Sequence, residues 1–571
     1  MSDNNRGFLP TSKKEVEQLG WDYIDVIIFS GDAYVDHPSF GSAVIGRVLE
    51  QAGYRVAIVP QPNWRDDLRD FKKLGKPRLF FGVNSGAMDS MVNHYTAAKR
   101  LRSNDAYTPD GRAGQRPDYA VTVYSQILKK LYPDTPIVIG GIEASLRRLT
   151  HYDYWQDRLL PSVLVDSGAD ILVYGMGELP ILDIASILDN GGGVEDLKHI
   201  PQIAYLSENK RTDSVVLSPY EDMVRDRKIF AENFKIVERE SNSYSPAHLD
   251  EPCRDIFIHI NPPYDTLPDG GIDRFYDLPY KREPHYRYRE KHIPAYEMIK
   301  FSINIHRGCF GSCAFCTISA HQGKFIQSRS RDSVLKEVHS VTEMEGFRGY
   351  ISDLGGPSAN MYGMKGKNIE LCKKCKKDSC LYPRICANLN HSHKAMLNLY
   401  KDVCSVKGVK KSFISSGIRY DLFLDREGFL NNEGQEYFKE VVLNHTSGRL
   451  KVAPEHTEEH ILRLMGKPSF SLFGRLKQEF DKLNKIFNKS YQIVPYFISS
   501  HPGCRMEDMA KLTANPILRG IKLEQVQDFT PTPMTRSSAS FYTGYDIMTM
   551  KPIFVEKNIE NKKRQKSFFL L

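Results

Sequence analysis

Arg307-Gly308-Cys309-Phe310-Gly311-Ser312-Cys313-Ala314-Phe315-Cys316 places three cysteines on one short loop, in the spacing Cys-x3-Cys-x2-Cys. An apolar run at 299–305 comes directly before the loop and predicts a β-strand. Cysteine thiolates hold iron–sulfur clusters, and three of them leave one iron of a [4Fe–4S] cluster without a protein ligand. A structural zinc site needs four ligands and favours paired cysteines, which fits this loop poorly. The loop therefore predicts a [4Fe–4S] cluster bound by Cys309, Cys313 and Cys316.

An iron without a protein ligand suggests a particular chemistry. It can chelate the amino and carboxylate groups of S-adenosylmethionine (SAM) and pass an electron into the sulfonium. Cleavage then yields a 5′-deoxyadenosyl radical that takes hydrogen from a substrate, while the protein contributes orientation and exclusion of water. The loop thus predicts an enzyme that cleaves SAM reductively.

The residues around the loop predict a partial (βα)6 barrel over 298–545. Apolar runs alternate there with helical patterns, and serial βα units place functional loops at the strand C-terminal ends. The predicted strands are 299–305, 348–353, 411–415, 450–453, 492–499 and 524–529, and the predicted helices are 332–345, 392–406, 433–443, 457–465 and 507–513. Residues 546–571 form a charged tail, in which we expect 556–566 to be solvated and mobile.

Residues 1–235 predict a separate Rossmann-like N-terminal domain. Short apolar runs alternate there with helical patterns, and parallel strands need such crossover connections, so we expect an α/β fold with a doubly wound parallel sheet. The predicted strands are 25–30, 54–59, 78–83, 136–140 and 170–174, the helices are 39–51 and 118–132, a hairpin lies near 202–218 and a closing helix lies at 221–234.

Residues 236–297 form a connector in which tyrosines interleave with arginines and lysines, mainly at 273–296. Such a pattern can stack on bases and pair with phosphates. A segment that wraps across a domain interface has the same composition, and we favour this structural interpretation.

Taken together, the motifs resemble the YgiQ-type radical SAM family. The resemblance is carried by 306–331 and by Asp353-Leu354-Gly355-Gly356-Pro357-Ser358-Ala359-Asn360-Met361-Tyr362, and it extends over nearly the whole chain. It includes Asp36-His37-Pro38-Ser39-Phe40-Gly41 near the start and Gln527-Asp528-Phe529-Thr530-Pro531-Thr532-Pro533-Met534 near the end. It implies a [4Fe–4S] cluster, SAM and a one-electron donor such as flavodoxin or ferredoxin, and it leaves the substrate open.

The resemblance also implies which residues contact SAM. Phe315 stands where radical SAM loops commonly carry an aromatic residue beside the adenine. Gly355 and Gly356 follow the second barrel strand, where a glycine pair exposes backbone to the SAM amino group. After strands three and four, Arg419 is a candidate for the SAM carboxylate and Glu455 for the ribose hydroxyls. Either residue could equally form a salt bridge within its loop.

A second set of cysteines, Cys372, Cys375, Cys380 and Cys386, lies in a lysine-rich insertion at 364–392. The insertion lacks apolar periodicity, so a metal would give it order. Four thiolates suit structural zinc or an auxiliary iron–sulfur cluster, and His391 and His393 offer spare ligands. The alternative is four unrelated cysteines in a loop, as the isolated Cys253, Cys404 and Cys504 are elsewhere.

The N-terminal domain resembles the cobalamin-binding domains of some radical SAM enzymes, through glycine-rich loops at 139–142 and 168–178. The motif Asp-x-His-x-x-Gly is missing, because Asp36 and His37 are adjacent, so we do not expect cobalamin to bind. Four residues could instead dock a substrate: His37, Asn84, His94 and Arg147. His37 could also simply orient the helix start at Ser39.

Composition limits the remaining choices. The chain has 571 residues, 41% hydrophobic and 26% charged, with a net charge of +8, which fits a globular protein of two or three domains. Its polar start and the lack of long apolar runs predict a cytoplasmic protein without membrane spans. The leading hypothesis is a radical SAM enzyme acting on a macromolecular or peptide substrate. The alternative is a non-catalytic metal-containing protein that binds RNA.

Overall fold

The computed structural model describes residues 7–569, so the polar start of the chain lies outside the described residues. Within that part, nine strands form one N-terminal sheet. They are β1 (Val26–Ser30), β2 (Val56–Pro60), β3 (Phe80–Asn84), β4 (Ile137–Ile139), β5 (Ile171–Val173), β6 (Ile203–Ser207), β7 (Ser214–Val216), β8 (His248–Cys253) and β9 (Ile256–Ile260). Their order across the sheet is β7-β8-β9-β6-β5-β4-β3-β1-β2. The five strands β1 to β5, which are adjacent in this order, run parallel to one another.

Helices cover both faces of this sheet, as the doubly wound prediction requires. Alternate residues of β1 face opposite sides: Val26 and Ile28 join one apolar cluster, while Ile27 and Phe29 join the other. The longer helices of this part are Gly41–Gln51, Ala120–Leu131, Glu178–Asp189 and Arg227–Ser241. Burial on both faces explains why the strands appear in the sequence as continuous apolar runs.

The far edge of the sheet differs from the predictions. No hairpin forms at 202–218, because β8 and β9, an antiparallel hairpin from the connector, are inserted between β6 and β7. The sheet therefore extends to Ile260, beyond residue 235. The closing helix is broken at Asp226 into Tyr220–Arg225 and Arg227–Ser241, since the Asp226 carboxylate caps the second helix at the Lys228 N–H (2.8 Å).

The second half forms the predicted parallel barrel. Its strands are β10 (Ser302–Asn304), β11 (Tyr350–Ile351), β12 (Asp353–Gly355), β13 (Lys411–Ser412), β14 (Arg449–Glu455), β15 (Gln492–Ser499) and β16 (Gln525–Asp528). Parallel pairs link β10 to β12, β11 to β13, β14 to β15 and β15 to β16, and a parallel bridge joins Ile418 to Val452. The outer helices are Arg331–Thr342, Lys394–Ser405, Asn432–Glu440, Glu459–Met465, Phe470–Ile486 and Met506–Thr513. The fold class is confirmed.

The connector packs between the two halves. Tyr276, Arg282 and Tyr288 are buried. Arg282 pairs with Glu337 and donates to the Ser302 carbonyl oxygen at 2.9 Å. These contacts agree with the structural interpretation and leave the buried side chains unavailable for stacking on bases.

The expectation of a solvated, mobile tail is wrong. A helix, Ile559–Ser567, packs against the barrel with Lys562 and Gln565 buried. The Lys562 ammonium donates to the Tyr154 hydroxyl and to the Phe529 carbonyl oxygen, both at 3.1 Å. Two residues three apart on one helix face are enough to fix the tail, and a count of charges does not reveal that face.

Candidate active site

The cysteine loop begins just after β10 ends, at the mouth of the barrel. Gly308 has a φ of +83°, and a side chain there would collide with the Phe325 carbonyl, so the turn requires glycine. The Ala314 N–H donates to the Met465 carbonyl oxygen at 2.9 Å, and the Ala314 carbonyl accepts from the Ser537 N–H at 2.8 Å. The surrounding backbone therefore fixes the loop on both sides.

The three sulfurs of the loop do not all lie within 4.8 Å of one another. In the part of the chain that the structure describes, only Glu458, His460 and Asp508 bring three ligand atoms within 4.8 Å of one another. Zinc, with Zn–S bonds of about 2.3 Å, would hold its sulfurs roughly 3.8 Å apart. A four-iron cube separates its cysteines further, because each sulfur binds a different iron. The loop cysteines are therefore not gathered as a zinc ion would require, and their arrangement is compatible with the cluster.

Burial controls the charge of these thiols. It raises the pKa of Cys309 and raises that of Cys316 to about 12, and neighbouring loop thiols add to both shifts. Without a bound cation, both thiols are therefore protonated at neutral pH. Cluster binding needs thiolates and releases their protons, so positive charge near the loop favours the bound form.

Arg419 supplies such a charge. Its Nη1 donates to the Cys313 Sγ at 3.3 Å, while Nε and Nη2 grip the Asp421 carboxylate at 2.8 and 2.5 Å. The Asn360 side chain binds both the N–H and the carbonyl of Arg419, at 2.8 and 3.0 Å. Gly311 makes room, since a Cβ there would lie 2.7 Å from the Arg419 guanidinium. The guanidinium is thus held against the cysteine loop.

The predicted glycine pair lies at the end of β12. A Cβ on Gly355 would lie 2.8 Å from the Ser416 hydroxyl, and one on Gly356 would lie 2.6 Å from the His306 ring. His306 is buried, with Nε2 donating to the Ser358 carbonyl at 2.8 Å and Nδ1 without a partner among the described residues. Close packing therefore requires both glycines; Gly355 is buried, and Gly356 is half-buried and lines a cavity at the barrel mouth.

Glu455 ends β14 at a bulge, with a φ of +70°, which is uncommon for a residue with a side chain. Its carboxylate is buried and lies 3.8 Å from the Lys467 ammonium. Burial raises the pKa of Glu455, which Lys467 and Arg419 oppose. Strained backbone of this kind gathers at functional sites. The bulge therefore aims a carboxylate toward the same region as Arg419.

Phe315 lies against the buried His501, with the two ring centroids 6.3 Å apart and nearly perpendicular. His501 is in turn fixed to the Ser537 hydroxyl at 2.7 Å. The phenyl ring is therefore held beside the loop by the end of β15, and its contact with adenine stays a prediction.

The four N-terminal candidates separate into two groups. His37 accepts from the Ser39 N–H at 3.0 Å, which agrees with its role in orienting the helix start. His94 and Arg147 are each paired with an aspartate. Asn84 alone among the four lines a cavity, where its carbonyl oxygen accepts from the Gly86 N–H at 2.9 Å.

This cavity, of about 400 Å³, lies between the N-terminal sheet and the barrel. It sits at the carboxyl ends of β1 and β3, where the strand order reverses, which is the usual ligand site of such sheets. Its inner part is apolar, and its barrel side includes Gly356. We call it the interdomain cavity; its other barrel-side residues are Asn304, His306, Arg307, Ile318, His321, Gln322 and Pro357. It therefore adjoins the glycine pair.

The insertion and the barrel enclose a larger groove of about 990 Å³. It reaches Ser312 of the cysteine loop and Cys386 of the insertion. Its charged residues are mainly basic: Lys377, Arg384, Arg463, Arg536 and Lys551 against Asp378 and Asp546. The two predicted spare ligands of the insertion are used elsewhere: His391 lies 3.1 Å from the Leu422 carbonyl, and His393 lies 3.1 Å from the Asn360 amide.

Sequence reasoning missed several residues of this site. Asp421 and Lys467 hold the two predicted SAM contacts in charge pairs, and Asn360 fixes Arg419. Asp421 stands two residues after Arg419, and Asn360 lies in the stretch that carried the family resemblance. Both residues could therefore have been predicted from the sequence. Lys467 gave no signal, because its partner is twelve residues away across a helix.

Comparisons with known proteins also identify a radical SAM protein. The family model described as Radical SAM N-terminal matches residues 8–302. A UPF0313 protein of Bacteroides thetaiotaomicron is 55% identical, covering 98% of this chain and 93% of that protein. A UPF0313 protein of Porphyromonas gingivalis is 56% identical, covering 98% of this chain and 90% of that protein.

A solved structure resembles the whole molecule. It is the radical S-adenosylmethionine methyltransferase TsrM of Kitasatospora setae, with cobalamin and a [4Fe–4S] cluster bound. The TM-score is 0.50 at 13% identity, covering 91% of this chain and 74% of that chain, so the likeness shows the fold alone. Over the described residues, no helix has both the length and the apolar character needed to cross a bilayer.

Proposed function

Because the chain belongs to the UPF0313 family of radical SAM enzymes, we propose that Cys309, Cys313 and Cys316 hold the [4Fe–4S] cluster at which it cleaves SAM. The observation that carries this assignment is the loop itself: three half-buried thiols on one fixed turn at the barrel mouth. The tight turn at Gly308 and the guanidinium of Arg419 beside the Cys313 sulfur both fit this assignment.

The cluster, when bound, supplies the electron that cleaves SAM to the 5′-deoxyadenosyl radical. The chain's own residues orient the reactants. Gly355 and Gly356 offer bare backbone to the SAM amino group. Arg419, held by Asp421, is placed to pair with the SAM carboxylate, and Glu455, held near Lys467, is placed to accept hydrogen bonds from the ribose. A flavodoxin or ferredoxin is the proposed electron donor.

The interdomain cavity is the proposed substrate site. It adjoins Gly356, so a group inside it lies next to the glycine pair that we propose binds the SAM amino group. Its volume of about 400 Å³ falls at the lower end of small-ligand sites. A macromolecular substrate would therefore insert a single side chain or base there, while its remaining part lies outside.

Cobalamin is a second candidate for the interdomain cavity. Its inner wall is apolar, with Ile28, Phe80 and Val138, and glycines line its mouth at 82, 140 and 141. The sequence argument against cobalamin depends on a missing histidine motif, and neither His37 nor His94 lines the cavity among the described residues. His306 and His321 line its barrel side, so a corrin would bind through shape and backbone contacts or through one of these two imidazoles. Failure of added aquocobalamin to stay with the reconstituted protein through gel filtration would reject this candidate.

Release of 5′-deoxyadenosine tests the proposed function. The protein is reconstituted anaerobically with iron and sulfide, reduced with dithionite and given SAM. We expect the wild type to release 5′-deoxyadenosine and Cys313→Ala to fall to background. Cys404→Ala is the matched control, because Cys404 is exposed and lies outside both cysteine sets. Equal release by the wild type and Cys313→Ala would reject the assignment.

A further inference from the structure

The insertion has little structure of its own to hold it in place. Between Lys365–Gly366 and Leu389–Asn390, which pair as a short antiparallel ladder, the described residues contain one helix, Ile369–Lys373. The apolar side chains around it form a small cluster: Phe310, Met361, Met364, Leu381, Leu389 and Leu422. A core of that size cannot order a lysine-rich segment alone, so some other link must.

The four cysteines of the insertion face one another. The Cys375 N–H donates to the Cys372 carbonyl at 3.0 Å, and the Cys386 N–H donates to the Cys380 carbonyl at 2.8 Å, so two turns fold the segment back on itself. The Asn388 amide, two residues after Cys386, donates to the Cys372 Sγ at 3.2 Å, so the two turns lie side by side. A Cβ on Gly366 would collide with the Cys372 sulfur.

N–H groups are aimed at the sulfurs. The Asn388 amide donates to the Cys372 Sγ at 3.2 Å, and the Lys377 N–H donates to the Cys375 Sγ at 3.4 Å. Hydrogen bonds to thiolate sulfur are a common feature of iron–sulfur sites, where they tune the potential. The four cysteines thus have the surroundings of metal ligands.

Sulfur spacing separates the two metals that four thiolates suit. Among the described residues, no three of these sulfurs lie within 4.8 Å of one another, since that condition is met only at Glu458, His460 and Asp508. A tetrahedral zinc ion would need all four sulfurs at roughly 3.8 Å. Four thiols that are not gathered this closely are compatible with a cube in which each sulfur binds its own iron.

The insertion is attached to the radical SAM loop. The Ser379 hydroxyl donates to the carbonyl oxygens of Phe310 and Gly311 at 3.3 and 3.2 Å. Cys309 of the loop, with Cys380 and Cys386 of the insertion, packs against the same small apolar cluster. The two sets of cysteines are therefore neighbours, and Cys386 also lines the open basic groove.

We propose that Cys372, Cys375, Cys380 and Cys386 bind a second [4Fe–4S] cluster that relays single electrons to the first. All four irons have protein ligands, so none is open to SAM. An external one-electron donor reduces the second cluster from the +2 to the +1 state, and the cluster returns to +2 as it reduces the loop cluster. This proposal rests on the proposed function in one respect: the relay role requires the loop cluster. The presence of the second cluster does not depend on the loop cluster.

Metal content of two variants tests the site. One variant replaces Cys309, Cys313 and Cys316 with serine, and the other replaces the four insertion cysteines with serine. After anaerobic reconstitution, we expect about eight irons per wild-type chain and about four in each variant, since a cubane holds four. Mössbauer and visible spectra of the first variant should show a four-iron cluster without SAM-dependent change.

Other results would overturn the proposal. Zinc in the first variant as purified, a two-iron spectrum, or metal-free protein with an intact far-UV circular dichroism spectrum would each do so. Complete loss of iron from the insertion variant, with iron retained in the loop variant, would reject the loop cluster instead, which keeps the two proposals distinguishable. Cys404→Ser controls for thiol loss, and single Cys375→Ser should still lower the iron content if the fourfold variant fails to fold.

Discussion

The two cysteine sets of this protein lie in opposite structural settings. The loop set follows a barrel strand, and backbone hydrogen bonds on both sides fix it. The insertion set lies in irregular chain with a small apolar cluster. On the proposed assignments, three ligands in a fixed frame leave an iron open for chemistry, whereas four ligands in the insertion close the site and order the segment that carries them. The number of ligands and the rigidity of the scaffold thus divide catalytic from structural or relay roles.

Arg419→Ala should have the largest effect on SAM cleavage, because Arg419 contacts the loop set through the Cys313 sulfur. Hydrogen bonds to charged groups contribute about 1.5–3 kcal/mol, so SAM cleavage at limiting SAM should fall roughly 10- to 100-fold. The measurement is 5′-deoxyadenosine release against SAM concentration. Arg463→Ala, an exposed arginine on the groove, is the matched control.

A folding defect must be separated from this loss. Removing Arg419 alone leaves the buried Asp421 without its partner, so the double variant Arg419→Ala, Asp421→Asn should recover stability but not SAM cleavage. Full activity in the double variant would show that Arg419 is a structural salt bridge, the alternative that the sequence left open.

Removal of the bound metal with a chelator should affect the insertion and the loop differently. Without metal, we expect trypsin to cut the lysines of the insertion about tenfold faster, since the metal orders that segment. Cleavage after Arg307 should change little, because this buried side chain is paired with Glu178 at 2.6 Å. Mass spectrometry of timed digests gives both rates. Equal protection of the insertion with and without metal would contradict the comparison.

Gly356→Ala should destabilise the barrel mouth by about 1–3 kcal/mol, as overpacking of a filled site does. The added Cβ would meet the buried His306 ring. Gly417→Ala is the control, because nothing lies within 4 Å of its Cβ position and its backbone is not left-handed. Thermal unfolding midpoints compare the two. A similar midpoint for both variants would remove the packing argument for the glycine pair.

His321 should have no effect near neutral pH and should affect stability only on the acid side. Burial, with Arg148 and Arg307 nearby, lowers its pKa to about 4 from 6.5. The unfolded chain then binds more protons, so stability is lost as the pH falls from 6.5 toward 4, by at most about 1.4 kcal/mol per unit. His321→Gln should weaken this loss in denaturant titrations between pH 4 and 7. An unchanged slope would show that other groups cause it.

Much of the fold could be predicted from the sequence, because its strands are buried on both faces or repeat in series. The five parallel N-terminal strands and the six barrel units appeared as apolar runs. The β8–β9 hairpin was not predicted, because β9 pairs with β6, a strand that lies about fifty residues earlier in the chain. The tail helix was missed as well, because Lys562 and Gln565 are polar residues whose burial depends on partners elsewhere.

The sequence by itself identified the family and predicted the loop cysteines and the glycine pair, because ligand chemistry and backbone freedom depend on residue type and local spacing. Only the tertiary structure decided that Arg419 pairs with Asp421 against the Cys313 sulfur and that Glu455 pairs with Lys467 at a bulge. It also decided that the insertion touches the loop through Ser379. Such contacts join distant segments, and their distances follow from packing, which no local pattern records.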